Sequence, residues 1–118
     1  MTRYMLIEKD KLALAVIRDA IQKIRLCASR FSDSQAFFDD WISFDAAMMN
    51  FVVIGEMVDK LSPSLKQEPS HIDWQQVKDF RNLIAHNYLG IDHEEIWEII
   101  QTHIPPLVAF LEQKLGSV

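Results

Sequence analysis

Apolar residues recur at steps of three and four along four stretches of this 118-residue chain, and that spacing constrains the fold more than any other feature. Positions three or four apart share one side of an α-helix, whereas a half-buried strand alternates at every second residue. Leu14, Ile17, Ile21, Ile24, Ala28 and Phe31 form the first stripe, with Arg18, Asp19, Gln22, Lys23 and Arg25 over most of the remaining surface. The spacing predicts a helix from about Leu6 to Ser29.

Ser32-Asp33-Ser34 then offers N-cap oxygens for a second helix running to about Leu61. Phe37, Trp41, Phe44, Met48, Phe51, Gly55 and Val58 keep the spacing, and Ala47, Met49, Val53 and Ile54 make its middle apolar nearly all round. Such a helix is either the central one of a bundle or carries a dimer seam besides its core face. Gly55 inside it costs about 1 kcal/mol relative to Ala, a cost that close approach of another backbone would explain. After a loop from Ser62 to Ser70, Asp73 and Gln76 make a capping-box-like start for a third helix. Trp74, Val77, Phe80 and Ile84 face inward on it, and it is expected to end around His86 to Tyr88. Asp92 caps a fourth helix with the stripe Ile96 (or Trp97), Ile100, Ile104, Leu107 and Leu111, which Pro105-Pro106 must kink or split.

With 3 Gly and 4 Pro the chain lacks the turns of a small β-sandwich, and no stretch carries a strand signal. Apolar residues at 49% and charged residues at 25% are those of an ordinary globular domain. The expected architecture is all-α: an antiparallel four- to five-helix bundle forming one domain over residues 1–118. Twelve Lys and Arg against 17 Asp and Glu leave a formal charge of −5, so non-specific coating of nucleic acid is not expected. RNA contact would have to come from a local cluster. Cys27 is the one cysteine, which excludes an intramolecular disulfide, and it reads as a buried small hydrophobe. Charged residues break up the N-terminus, and the most apolar window, Ala46 to Gly55, is too short for a bilayer. A soluble, cytoplasmic protein with no membrane association is expected.

Chemistry concentrates in Asp79-Phe80-Arg81-Asn82-Leu83-Ile84-Ala85-His86-Asn87-Tyr88. Arg81 and His86 lie about 140° apart on an ideal helix. They serve one cleft only if they flank it or the last turn unwinds; a second copy related by a two-fold axis solves the geometry more naturally. A guanidinium grips phosphate oxygens through paired N–H donors. An imidazole takes and returns a proton near neutral pH. Together they suit cleavage of RNA by its own 2′-OH, a reaction that needs no metal. His71, His86, His93 and His103 show no metal-ligand spacing, so no metal site and no cofactor are expected. The bland alternatives are an ion-paired Arg81, a His86 favouring the helix dipole and a half-buried Tyr88. Trp41, Trp74 and Trp97 read as core or interface anchors, and His71, His93 and His103 as surface or capping residues.

The motif R-x4-H-x-Y at Arg81, His86 and Tyr88 resembles the signature of the HEPN superfamily. With Val53-Ile54-Gly55-Glu56, Trp74, Arg81-Asn82, Ile91-Asp92 and Ile96-Trp97 in this order, the chain resembles the HepT-like toxins of two-gene toxin–antitoxin systems. That resemblance implies a bundle that dimerises through the motif-bearing helix and a metal-independent endoribonuclease with a composite cleft. Arg81 would hold the scissile phosphate, His86 would act as acid and base, and Asn82 would orient the site. Tyr88 matches a tyrosine modified with AMP by the cognate antitoxin, a minimal nucleotidyltransferase of the MntA type. Each AMP brings a negative phosphate and a bulky base beside the cleft. Glu56 is left with no role beyond structure or support of the cleft. Two alternatives stay open: a non-catalytic HEPN binding module that partners a nucleotidyltransferase, and a purely structural dimeric bundle with Arg81 and His86 paired to carboxylates.

Overall fold

The computed structural model describes residues 6–116, the side chains of residues 85–88 excepted, and every regular element within them is helical. α1 runs Glu8–Ala28, α2 Ser34–Asp39, α3 Trp41–Val58, α4 Pro63–Lys66 and α5 Trp74–Asn87. A 3₁₀ turn, Tyr88–Gly90, leads into α6, His93–Glu98; a wide π turn, Ile99–His103, then joins it to α7, Ile104–Leu115. α3 is central, with α1 and α5 as its main neighbours; α7 packs on α1, and α2 bridges α3 and α6.

The side-chain caps fall where local chemistry requires them. Asp33 accepts the Ala36 N–H at 2.8 Å, Asp73 that of Gln76 at 3.1 Å, and Asp92 those of Glu94 and Glu95 at 3.0 and 3.3 Å. Each satisfies donors that a helix start leaves unpaired. All six stripe residues of α1 except Phe31 are buried, as are Trp74, Val77, Phe80 and Ile84 of α5. Ile96, Ile100, Ile104, Leu107 and Leu111 complete the core from the chain's last third. Burial of each large aliphatic or aromatic side chain contributes about 1.5–3 kcal/mol, which outweighs the local cost of a glycine.

Two boundaries differ from the sequence expectation. The second helix is two, because Asp40 leaves helical geometry (φ −88°, ψ 87°) and caps α3 by accepting the Ser43 N–H at 3.1 Å. Phe37 and Phe44 stay in the core on either side, whereas Trp41 turns outward and is 69% exposed, so it is no core anchor. The loop after α3 contains α4, started by Pro63 at a position where its missing N–H costs nothing. Ser62 caps it and donates its Oγ–H and N–H to the fully buried Asp10 at 2.6 and 2.8 Å, fastening this connection to α1. Lys114 of α7 pairs with Glu68 just beyond α4. The break before Pro105-Pro106 takes the form of the π turn, in which the Ile104 N–H reaches the Ile99 carbonyl. Cys27 is half-buried rather than buried, and burial pushes its thiol pKa up, the reverse of an activated thiolate.

α3 has two apolar sides. Phe44, Ala47, Met48, Phe51, Ile54 and Val58 fill the core, while Trp41, Ile42 and Met49 are exposed and Val52 and Val53 half-covered on the other side. Its 18 residues have a mean hydropathy of 1.3, so by length and composition it is a membrane-span candidate where the ten-residue window was not. It packs here as the middle helix of the bundle.

Candidate active site

α5 is held by its inward stripe, above all by Phe80, whose ring meets that of Phe51 on α3 edge-on at 5.4 Å. The next residue, Arg81, lies directly over Gly55 of α3. A Cβ built on Gly55 would sit 2.6 Å from the Arg81 Cβ and 3.0 Å from the Lys78 carbonyl oxygen. The close backbone approach expected of this glycine is therefore the crossing of α3 and α5.

At that crossing the Arg81 guanidinium meets two carboxylates, Glu56 on α3 and Asp59 at its C-cap. Nη1 donates to Glu56 Oε1 and to Asp59 Oδ2, each at 3.1 Å, and the Arg81 side chain is only 24% exposed. Lys78 Nζ lies 2.9 Å from the other oxygen of Asp59. Two cations and two anions thus alternate across the helix pair. The Lys78 hydrogen bond, joined by that of Arg81, holds the Asp59 carboxyl below its ordinary pKa against the opposing effect of burial. Glu56 first, then Asp59, raises the already high pKa of Arg81.

Asn82 is on a different side of α5. It is exposed, its Nδ2 lies 3.5 Å from Asp79 Oδ1, and it lines a groove of about 480 Å³ between α5 and the α6–π-turn segment. Asp79, Glu95, Glu98 and His103 share that groove; Arg81 does not line it. His86 and Tyr88, expected as acid–base and modification sites, have side chains outside the described residues. Their backbone positions are informative nonetheless. α5 remains helical through Asn87, so the last turn does not unwind to swing residue 86 toward Arg81. On a regular helix the two positions are about 140° apart and roughly 7.5 Å apart along the axis.

Sequence spacing did not reveal the partners of Arg81. Spacing gives Glu56 no role beyond structure or support of the cleft, and it does not mark Asp59 or Lys78. The available signal is the repeat of three, acids at 56 and 59 and bases at 78 and 81, which puts each pair on one helix face. His93 also has an unexpected setting. Its Nδ1 is 2.5 Å from the buried Ser34 Oγ and its ring stacks on Phe38 at 4.6 Å, so it joins α6 to α2. Among the described residues no group of three or more His, Cys, Asp or Glu is arranged to hold a metal ion.

Residues 17–114 match the family model described as "Ribonuclease HepT-like". "Putative RNase TTE0752" of Caldanaerobacter subterraneus subsp. tengcongensis is 30% identical over 74 residues, covering 59% of this chain and 66% of that protein. "Putative RNase MJ1216" of Methanocaldococcus jannaschii is 31% identical over 66 residues, 56% of this chain and 54% of that one. From the same organism, "Gamma-glutamylcyclotransferase and putative RNase MJ0434" is 28% identical over 71 residues, 60% of this chain and 32% of the relative. The matches thus span from about a third to two thirds of these relatives' lengths. No solved structure matches the chain.

Proposed function

This chain belongs to the HepT-like ribonuclease family, and from that premise we propose that it is a metal-independent endoribonuclease, the cytoplasmic toxin of a toxin–antitoxin pair. The catalytic groups are Arg81 of one protomer and His86 of its partner, with Asn82 supporting the site. The observation that carries this reading is the unbroken course of α5 between positions 81 and 86. It keeps the two residues of one chain on different helix faces, which supports completion of the pair by a second copy. The exposed Trp41, Ile42 and Met49 of α3 support pairing, and they favour α3, rather than α5 alone, as the source of its apolar contact.

In the proposed reaction His86 removes the proton of the ribose 2′-OH, whose oxygen attacks the adjacent phosphorus. The bond from phosphorus to the 5′-oxygen breaks, and the leaving oxygen takes a proton from imidazolium. Arg81 stabilises the charge that gathers on the phosphoryl oxygens. The products are a 2′,3′-cyclic phosphate and a 5′-hydroxyl. A nucleotidyltransferase antitoxin silences the enzyme by transferring AMP from ATP to the Tyr88 hydroxyl, with release of pyrophosphate.

Purified protein incubated with RNA in excess EDTA tests this directly. Cyclic-phosphate ends in the wild type, lost in His86→Ala, are expected; cleavage retained by His86→Ala removes the assignment. Growth arrest on expression of the chain alone is the cellular counterpart, and healthy cells would favour a non-catalytic module that binds a nucleotidyltransferase. The two carboxylates on Arg81 favour a second reading, a structural ion-pair cluster in a dimeric bundle. Dimerisation that is salt-sensitive and lost in Arg81→Ala, with no effect on RNA, is its signature.

A further inference from the structure

We infer that Glu56 and Asp59 are positioning residues for Arg81, holding its guanidinium by one nitrogen so that its remaining donors are set for a phosphate. The inference rests on the RNA-cleavage reading and adds to it two residues that touch neither the reacting atoms nor the substrate.

A guanidinium carries five N–H donors in a planar fork, two of them on Nη1. Glu56 Oε1 and Asp59 Oδ2 both lie 3.1 Å from that one nitrogen, so each carboxylate takes one of its hydrogens. Neither draws on Nε or Nη2, the adjacent donors that grip two phosphate oxygens side by side. Carboxylates that served to block the residue would occupy that edge. Their own placement is fixed as well. Glu56 near the end of α3 and Asp59 at its C-cap are three residues apart, and Gly55 beside them sets how closely α5 can approach. Lys78 takes the second oxygen of Asp59 at 2.9 Å, which restrains that carboxylate. Two negative and two positive charges leave the cluster formally neutral.

Neutrality gives the inference a signature that ordinary destabilisation does not share. Removing one carboxylate charge leaves the cluster positive, which strengthens attraction of RNA, while it frees Arg81 to leave its productive place. Affinity and turnover then move in opposite directions. A misplacement of about 1 Å costs on the order of a hundredfold in rate.

The test is steady-state cleavage of a defined RNA by wild type, Glu56→Gln, Asp59→Asn and the double variant, with thermal melting and oligomeric state measured on each. The expected result is kcat lowered by about ten- to a hundredfold with KM unchanged or lower. Glu56→Asp is expected to recover part of the kcat. Unchanged or raised kcat in Glu56→Gln and Asp59→Asn overturns the positioning role, as does a rise in KM at constant kcat. A loss of activity that merely follows loss of folded protein or of dimer also overturns it. Wild-type protein that cleaves no RNA overturns the ribonuclease reading itself and this role with it.

Discussion

Gly55 and Arg81 touch through the space that any other side chain at position 55 would occupy, with a hypothetical Cβ only 2.6 Å from the Cβ of Arg81. The neighbouring Lys78 carbonyl, at 3.0 Å, is backbone and cannot rotate aside. Gly55→Ala is therefore expected to push α5 away from α3. Overpacking of this kind costs about 1–3 kcal/mol, against which the better helix propensity of alanine returns only about 1 kcal/mol. The variant should unfold at lower denaturant concentration and cleave RNA poorly; a midpoint at or above wild type would refute the tight crossing.

Removal of either side chain proposed as catalytic, Arg81 or His86, is expected to lower cleavage by about a hundred- to ten-thousandfold. Arg81→Ala and His86→Ala mixed after unfolding and refolding together should regain activity. On the proposed pairing each mixed dimer would hold one intact composite site, so about a quarter of wild-type activity would return under random pairing. A mixture as inactive as its parents would locate both groups in one chain.

Asp59 links stability to pH. Its pKa is depressed in the folded protein, so its contribution is fully present above the ordinary unfolded value, about 3.9. That contribution falls away as the pH drops through the lower folded value. Acid titration of stability should show a loss below about pH 4 that is smaller in Asp59→Asn. Arg81 has the opposite sign. Its raised pKa contributes stability that is present below the unfolded value and lost only at strongly alkaline pH. Equal acid slopes for the wild type and Asp59→Asn would exclude the linkage.

A charge on the exposed side of α3 should separate pairing from folding. Met49 is 64% exposed in one copy, so Met49→Glu leaves the monomer's core intact. Surface changes of this kind fall within about 0.5 kcal/mol of neutral. Light scattering is expected to report a monomer with unchanged helical content and little cleavage. A dimer that persists, or a monomer that cleaves fully, would rule out this face as the seam.

What could be foreseen from sequence divides along the range of the interaction. Asp33, Asp73 and Asp92 act on N–H groups two or three residues away, and their caps were legible. The inward residues of α1, α5 and α7 were legible because helical periodicity alone sorts them. The break at Asp40 was hidden by Phe37, Trp41 and Phe44, whose spacing of four and three continues across it although Trp41 faces out. The Arg81 cluster joins residues 25 and 22 positions apart, a pairing that depends on which helices cross and where. Gly55 hinted that a crossing existed, without naming the residue on the other side.

On the proposed pairing, in which the site is shared between copies, the uncovered apolar side of α3 carries a quantitative corollary. At low abundance the population of completed sites grows as the square of chain number, so halving expression removes three quarters of the output. A cell with a few stray molecules would escape harm, while a modest burst of synthesis would be felt abruptly. Dosage, set by the strength of one hydrophobic seam, would decide between tolerance and arrest.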